Sequence, residues 1–154
     1  MAAIKSKDTQ PEKTVRMGLF KLGLRYRLHE KALPGSPDLV FPKYRAVVFV
    51  HGCFWHRHRG CRLAAVPKNN AQRWADKFAA NVKRDQKVSE RLHELGWRVA
   101  IVWECAVRAS PGCTAEQINS WLRCSQSREK TIGEVDVGGP ATPRGSLRAR
   151  HGAT

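Results

Sequence analysis

Two hydrophobic rhythms alternate along the chain. In DTQPEKTVRMGLFKLG, residues 8–23, Val15, Leu19 and Leu22 recur at the spacing that gathers them on one face of a helix. Asp8 or Thr9 can cap it, Pro11 suits its first turn, and Gly23 ends it. LRYRLH, residues 24–29, alternates apolar and polar and predicts a strand. ALPGSP is a loop, with two prolines and a glycine. DLVF and RAVVFV are short apolar runs split by PKY, so a strand hairpin is expected. From about Asn70 to Leu95 the spacing turns helical: Trp74, Phe78 and Val82 lie four apart, and Val88, Leu92 and Leu95 carry the stripe to Gly96. WRVAIVWE predicts a buried strand by its length and β-branched content, and TAEQINSWL a closing helix capped by Thr114. No segment repeats another.

After Cys124 the character changes. Residues 125–154 are rich in Gly, Ser, Thr and Pro and poor in large apolar side chains, which predicts a disordered basic tail behind an ordered domain over 1–124. A chain of 154 residues is long enough for one domain with a real core, burying roughly 70% of its unfolded surface. No apolar run approaches the ~20 residues that span a bilayer. The first twenty residues hold Lys5, Lys7, Asp8, Glu12, Lys13 and Arg16, unlike a secretory signal. A soluble cytoplasmic protein with no membrane partner is expected.

Charge narrows the choice of partner. The chain has 28 Lys and Arg against 13 Asp and Glu, a formal charge of +15. The tail contributes little of this, with five Lys and Arg against three Asp and Glu. The ordered part is therefore strongly basic, and nucleic acid is the expected partner. The five cysteines are an odd number, which argues against a disulfide framework and for metal ligation by some of them. Cys113 and Cys124 have no ligand types nearby and read as ordinary thiols.

The candidate chemistry is concentrated in HGCFWHRHRGC, residues 51–61. Cys53, His58 and Cys61 form C-x4-H-x2-C, a spacing suited to zinc, and a structural zinc takes four ligands. Cys105, at the end of the strand VAIVWEC, is the natural fourth. Such a closed site leaves no open position for catalysis and contributes on the order of 10 kcal/mol to folding. His51 and His56 fall outside it. Asp38 follows PGSP and opens a short strand, where a carboxylate can hold a hard cation such as Mg2+, although a lone Asp there also serves as a turn residue. An acid on one strand with polar groups on its hairpin partner resembles the layout of restriction-type nucleases. In that scheme the cation stabilises developing charge and a neutral histidine activates water.

Four segments, LPGSPDLVF, VVFVHGCFWHRH, NVKRDQ and LGWRVAIVWEC, closely resemble the very short patch repair (Vsr) endonucleases over roughly residues 1–123. The resemblance implies an α/β, restriction-endonuclease-like fold, a central mixed sheet flanked by helices with a structural zinc. It implies a Mg2+-dependent enzyme that nicks the thymine strand of a T·G mismatch, the lesion left by deaminated 5-methylcytosine. Position by position, Asp38 matches the metal-binding aspartate and His56 the catalytic histidine. His51 matches a second active-site histidine at the phosphate, and Glu12 a supporting acid. Val50 stands where the family often has threonine and would serve Mg2+ through its backbone carbonyl. Cys53, His58, Cys61 and Cys105 match the Zn2+ ligands, with one more residue between His58 and Cys61 than in some members. Phe54, Trp55 and Trp74 match aromatics that wedge into DNA beside the mismatch, though Trp74 also suits packing on Phe78. Met1 falls at a methionine wedge that family members precede with an arm reaching the minor groove, so a reduced arm or a late start site is expected. The implied partners are double-stranded DNA and other mismatch-repair proteins, and the implied state is a monomer. Lys83 and Arg84 are candidates for neutralising phosphates. Two other functions suit the same residues. One is a non-catalytic zinc DNA-binding module, which leaves Asp38 and the spare histidines idle. The other is a restriction- or homing-type nuclease of the same fold without mismatch preference.

Overall fold

The structure, a computed structural model, describes residues 8–133. The expected arm and methionine wedge, and the tail from residue 134 onward, lie outside the described residues.

Helix α1 spans Gln10–Lys21. Thr9 is its N-cap, with Oγ1 accepting from the Glu12 N–H, and Glu12 Oε2 accepts in return from the Asp8 N–H at 2.9 Å. These reciprocal bonds satisfy two donors that the helix start would leave free. Val15 and Leu19 are buried as their spacing requires, while Leu22, at the C-cap, turns outward. The strand expected over 24–29 shrinks to β1, Arg27–Leu28, an outer strand exposed at both residues. Strands β2 (Leu39–Phe41) and β3 (Ala46–His51) form the expected antiparallel hairpin, with Leu39 opposite Val48. The long helix α2 (Ala71–Glu94) follows, and β4 (Arg98–Trp103) then pairs parallel to β3.

Three features differ from the sequence pattern. A short helix α3 (Glu104–Ala109) continues directly from β4. Helix α4 begins at Pro111, not at Thr114, and runs to Cys124. Proline is preorganised for a first turn, and the buried Thr114 hydroxyl donates back to the Ala106 and Ser110 carbonyls instead of capping. Within the expected tail, residues 129–132 form β5, parallel to β4. Composition missed it because four residues with one buried side chain, Ile132, carry almost no hydrophobic signal. Its pairing comes from the edge that β4 presents.

The result is a mixed five-stranded sheet in the order β1-β2-β3-β4-β5 with helices on both faces. Strand parity divides the core. Leu39, Phe41, Ala46, Val48, Val50, Ala100 and Val102 pack with Val15 and Leu19 of α1, Val107 of α3, and Ile118, Trp121 and Leu122 of α4. Val40, Val47, Phe49 and Val99 face the other way, onto Leu92 and Val88 of α2. Every residue of β3 is therefore buried, as expected of a central strand covered on both faces. The same parity sends His51, in step with Val47 and Phe49, toward α2. No helix among the described residues is long and apolar enough to cross a membrane.

Candidate active site and metal centre

Asp38 precedes β2, and its Oδ2 accepts from the Val50 N–H of β3 at 2.7 Å, so the hairpin register itself holds the carboxylate. Its neighbour is Glu12, buried at the start of α1. Burial first, then the Glu12 charge, push Asp38 up to about 7, against the pull of the Val50 N–H. The two carboxyl groups repel one another when both are ionised. Such a pair is an excess of acceptors that a hard cation relieves, so the donor set fits Mg2+.

Across the same cavity, of about 330 Å³, stand the imidazoles of His51 and His56. Their rings stack with centroids 3.8 Å apart and planes 7° from parallel. Burial, then the His56 charge, push His51 down to about 3, so it is neutral at physiological pH. His56 Nδ1 sits 2.6 Å from Asp85 Oδ2, a carboxylate supplied by α2. Burial raises Asp85, but the hydrogen bond and charge of His56, with His51 and Arg84, bring it below the usual carboxylate range. The three groups can also be read as a potential metal trio. A histidine oriented by an ionised carboxylate is equally the arrangement of a general base.

The structure thus brings together Glu12 of α1, Val50 and His51 of β3, Asp38 from the turn before β2, and His56 from the loop after β3. Sequence reasoning missed two titratable residues of the lining, His29 and Asp85. Asp85 lies in NVKRDQ, and the spacing of Asn81, Asp85 and Val88 on one helical face was the available signal. His29 ends RYRLH with φ +47°, a backbone turn that no periodicity announces.

Cys53, His58, Cys61 and Cys105 converge so that one ligand atom from each lies within 4.8 Å of the others. His58 Nδ1 is 3.5 Å from Cys53 Sγ and 3.4 Å from Cys105 Sγ. A tetrahedral zinc with bonds of about 2.3 Å to sulfur and 2.0 Å to nitrogen has N–S edges of about 3.5 Å, so the donor set fits that ion. Burial pushes the Cys53 thiol up to about 12; burial also raises Cys105, against the Cys53 side chain and with the help of Cys61, while burial lowers His58. The Gly133 backbone pulls His58 the other way, against burial. Trp103 joins the two centres: it stacks on His58 at 4.3 Å and meets His51 edge-on at 5.4 Å.

Phe54, Trp55 and Trp74 are half-buried and pack on one another and on Phe78. Arg57 lies over the Phe78 ring, and Lys77 lies over both tryptophans. Asn81 donates to the Trp55 carbonyl at 3.1 Å and so ties the loop to α2. A groove of about 650 Å³ runs from Thr9 and Glu12 past Trp55 and His56 to Lys77 and Arg84. Arg84 and Lys77 line it together with the acids Glu12 and Glu104, and Lys83 is exposed outside its lining. About 100° of helical rotation separates Lys83 from Arg84.

A helix-flanked mixed sheet that sets an acidic pair against an oriented histidine, beside a groove lined by both cations and acids, suits an endonuclease. The family model described as DNA mismatch endonuclease Vsr matches residues 1–62. DNA mismatch endonuclease Vsr of Escherichia coli (strain K12) is 42% identical over 139 residues, covering 90% of this chain and 88% of that protein. Type II nicking enzyme V.XorIIP of Xanthomonas oryzae pv. oryzae is 53% identical over 105 residues, 68% of this chain and 76% of that one. The chain belongs to the Vsr family of DNA mismatch endonucleases. Among solved structures, the catalytic domain of the homing endonuclease I-Bth0305I aligns with a TM-score of 0.48 at 20% identity, over 74% of this chain and 95% of that domain.

Proposed function

We propose that this endonuclease nicks double-stranded DNA on the thymine strand of a T·G mismatch, using Mg2+ at Asp38. The observation that carries the reading is the cavity in which the Glu12–Asp38 acid pair faces the His56–Asp85 dyad. Asp38, with the Val50 carbonyl, would hold the Mg2+, which when bound supplies positive charge at the scissile phosphate. Asp85 holds the His56 ring by Nδ1, so Nε2 is the nitrogen free to take a proton from the attacking water. Neutral His51 has an N–H to donate to the phosphate. Glu12 would support the ion from the helix start.

The Cys3His set would hold Zn2+ as a brace for the loop carrying His56, Phe54 and Trp55. These rings, with Trp74, are the wedge. Unstacking a mispair costs less than unstacking a matched pair, so an inserted ring selects for the lesion. Lys77 and Arg84 line the groove as phosphate partners, with Lys83 beyond its wall. A non-catalytic zinc module would give the dyad and the acid pair nothing to do.

The test is a nicking assay with Mg2+ on a T·G duplex beside a T·A control. The expected product is one nick on the thymine strand, lost in Asp38→Ala and His56→Ala. Equal cutting of both duplexes would favour a nuclease without mismatch preference, and binding with no nick would remove the catalytic reading.

A further inference from the structure

We propose that Arg16 occupies the place of a second divalent cation, so that this active site takes one such ion, at Asp38. The proposal rests on the reading of Asp38 as a cation ligand. Beside that aspartate is a second potential ligand set: one atom each from Asp8, Glu12 and His29 lies within 4.8 Å of the others, the spread expected round a single ion. The set is already filled. Arg16 Nη2 is 2.6 Å from Asp8 Oδ1, 3.3 Å from Glu12 Oε2 and 3.1 Å from His29 Nε2. One guanidinium nitrogen thus touches an atom of each member, as a bound cation would.

The acceptors are committed to this arrangement. Glu12 Oε2 also takes the Asp8 N–H at 2.9 Å. Arginine only donates, so His29 Nε2 must accept, leaving the ring proton on Nδ1, which is 3.8 Å from Asp38 Oδ1. The His29 imidazole therefore forms the partition between the filled position and Asp38. Its left-handed backbone, φ +47°, is uncommon for a residue with a side chain and brings the ring there.

Charge leads to the same count. Asp8, Glu12 and Asp38 carry three negative charges when ionised, and Arg16 returns one. The remaining two are what one divalent ion balances. A second dication would have to share the carboxylates of Asp8 and Glu12 with a fixed positive charge.

The experiment counts bound Mn2+ by electron paramagnetic resonance titration, with the zinc-loaded full chain on a non-cleavable T·G duplex. The expected count is one per chain in the parent, one in Arg16→Lys, and two in Arg16→Gln, with the fold of each variant checked by circular dichroism. Two ions in the parent, or one in a folded Arg16→Gln, would overturn the proposal while leaving Asp38 as a ligand. If Arg16→Gln does not fold, the parent count decides alone. No Mn2+ in the parent would withdraw the Asp38 reading and this proposal with it, whereas a single ion lost in Asp38→Ala supports both.

Discussion

Asp85 of α2 holds His56 of the loop after β3 by a contact of 2.6 Å, although 29 positions separate them. The contact decides which ring nitrogen faces the cavity. An asparagine there can present its amide N–H to Nδ1 and so favour the wrong tautomer. Asp85→Asn is expected to lower single-turnover nicking roughly 10–100-fold or more with little change in melting temperature. Activity within twofold of the parent would mean that His56 needs no orienting carboxylate.

Asp38 links function to stability with opposite signs. Its folded value, about 7, lies above its ordinary 3.8. In the metal-free protein the contribution of this group to stability is thus complete below pH 3.8 and is lost as pH rises through about 7. Asp38→Asn removes the burden of an ionised buried carboxylate. It should stabilise the Mg2+-free fold at pH 8 by on the order of 1–3 kcal/mol while abolishing nicking. Urea unfolding at pH 5 and pH 8 checks this, and a variant less stable than the parent at pH 8 contradicts it.

Cation binding should follow the same proton. Mg2+ binding needs Asp38 ionised, so affinity should rise with pH up to about 7 and then level off. Calorimetry in two buffers of different ionisation enthalpy measures the proton released. Equal heats at pH 6.5 would show that Asp38 is already ionised there.

At the Cys3His centre, burial holds the Cys53 thiol near 12 without metal, so zinc binding at pH 7 must expel thiol protons. A purified sample should hold about one zinc per chain. Cys105→Ala should lose the metal and several kcal/mol of stability, since the set ties the loop to the start of α3. Zinc retained at full stoichiometry in that variant would exclude Cys105 as a ligand.

Gly35 sets the loop that delivers Asp38. It takes φ +73°, and a Cβ there would meet Val88 Cγ1 at 2.5 Å. Gly35→Ala should cost about 1–3 kcal/mol in chemical denaturation through overpacking against α2. A neutral result would mean that α2 yields at Val88.

The hairpin, α1, α2 and β4 were legible in the sequence because each carries enough apolar residues at one period to declare itself. The metal set was legible because three of its four ligands fall within nine residues. Legible, too, were the acid at Asp38 and the histidines flanking the metal loop, by residue type and by resemblance. Only the tertiary structure decided that β5 exists, that Asp85 is the partner of His56, and that Arg16 and His29 stand against the acid pair. Apart from the Arg16–Glu12 pair, which shares α1, these depend on contacts between separate segments of the chain. Periodicity records which face of an element is buried, not which polar side chain on another element will meet it there.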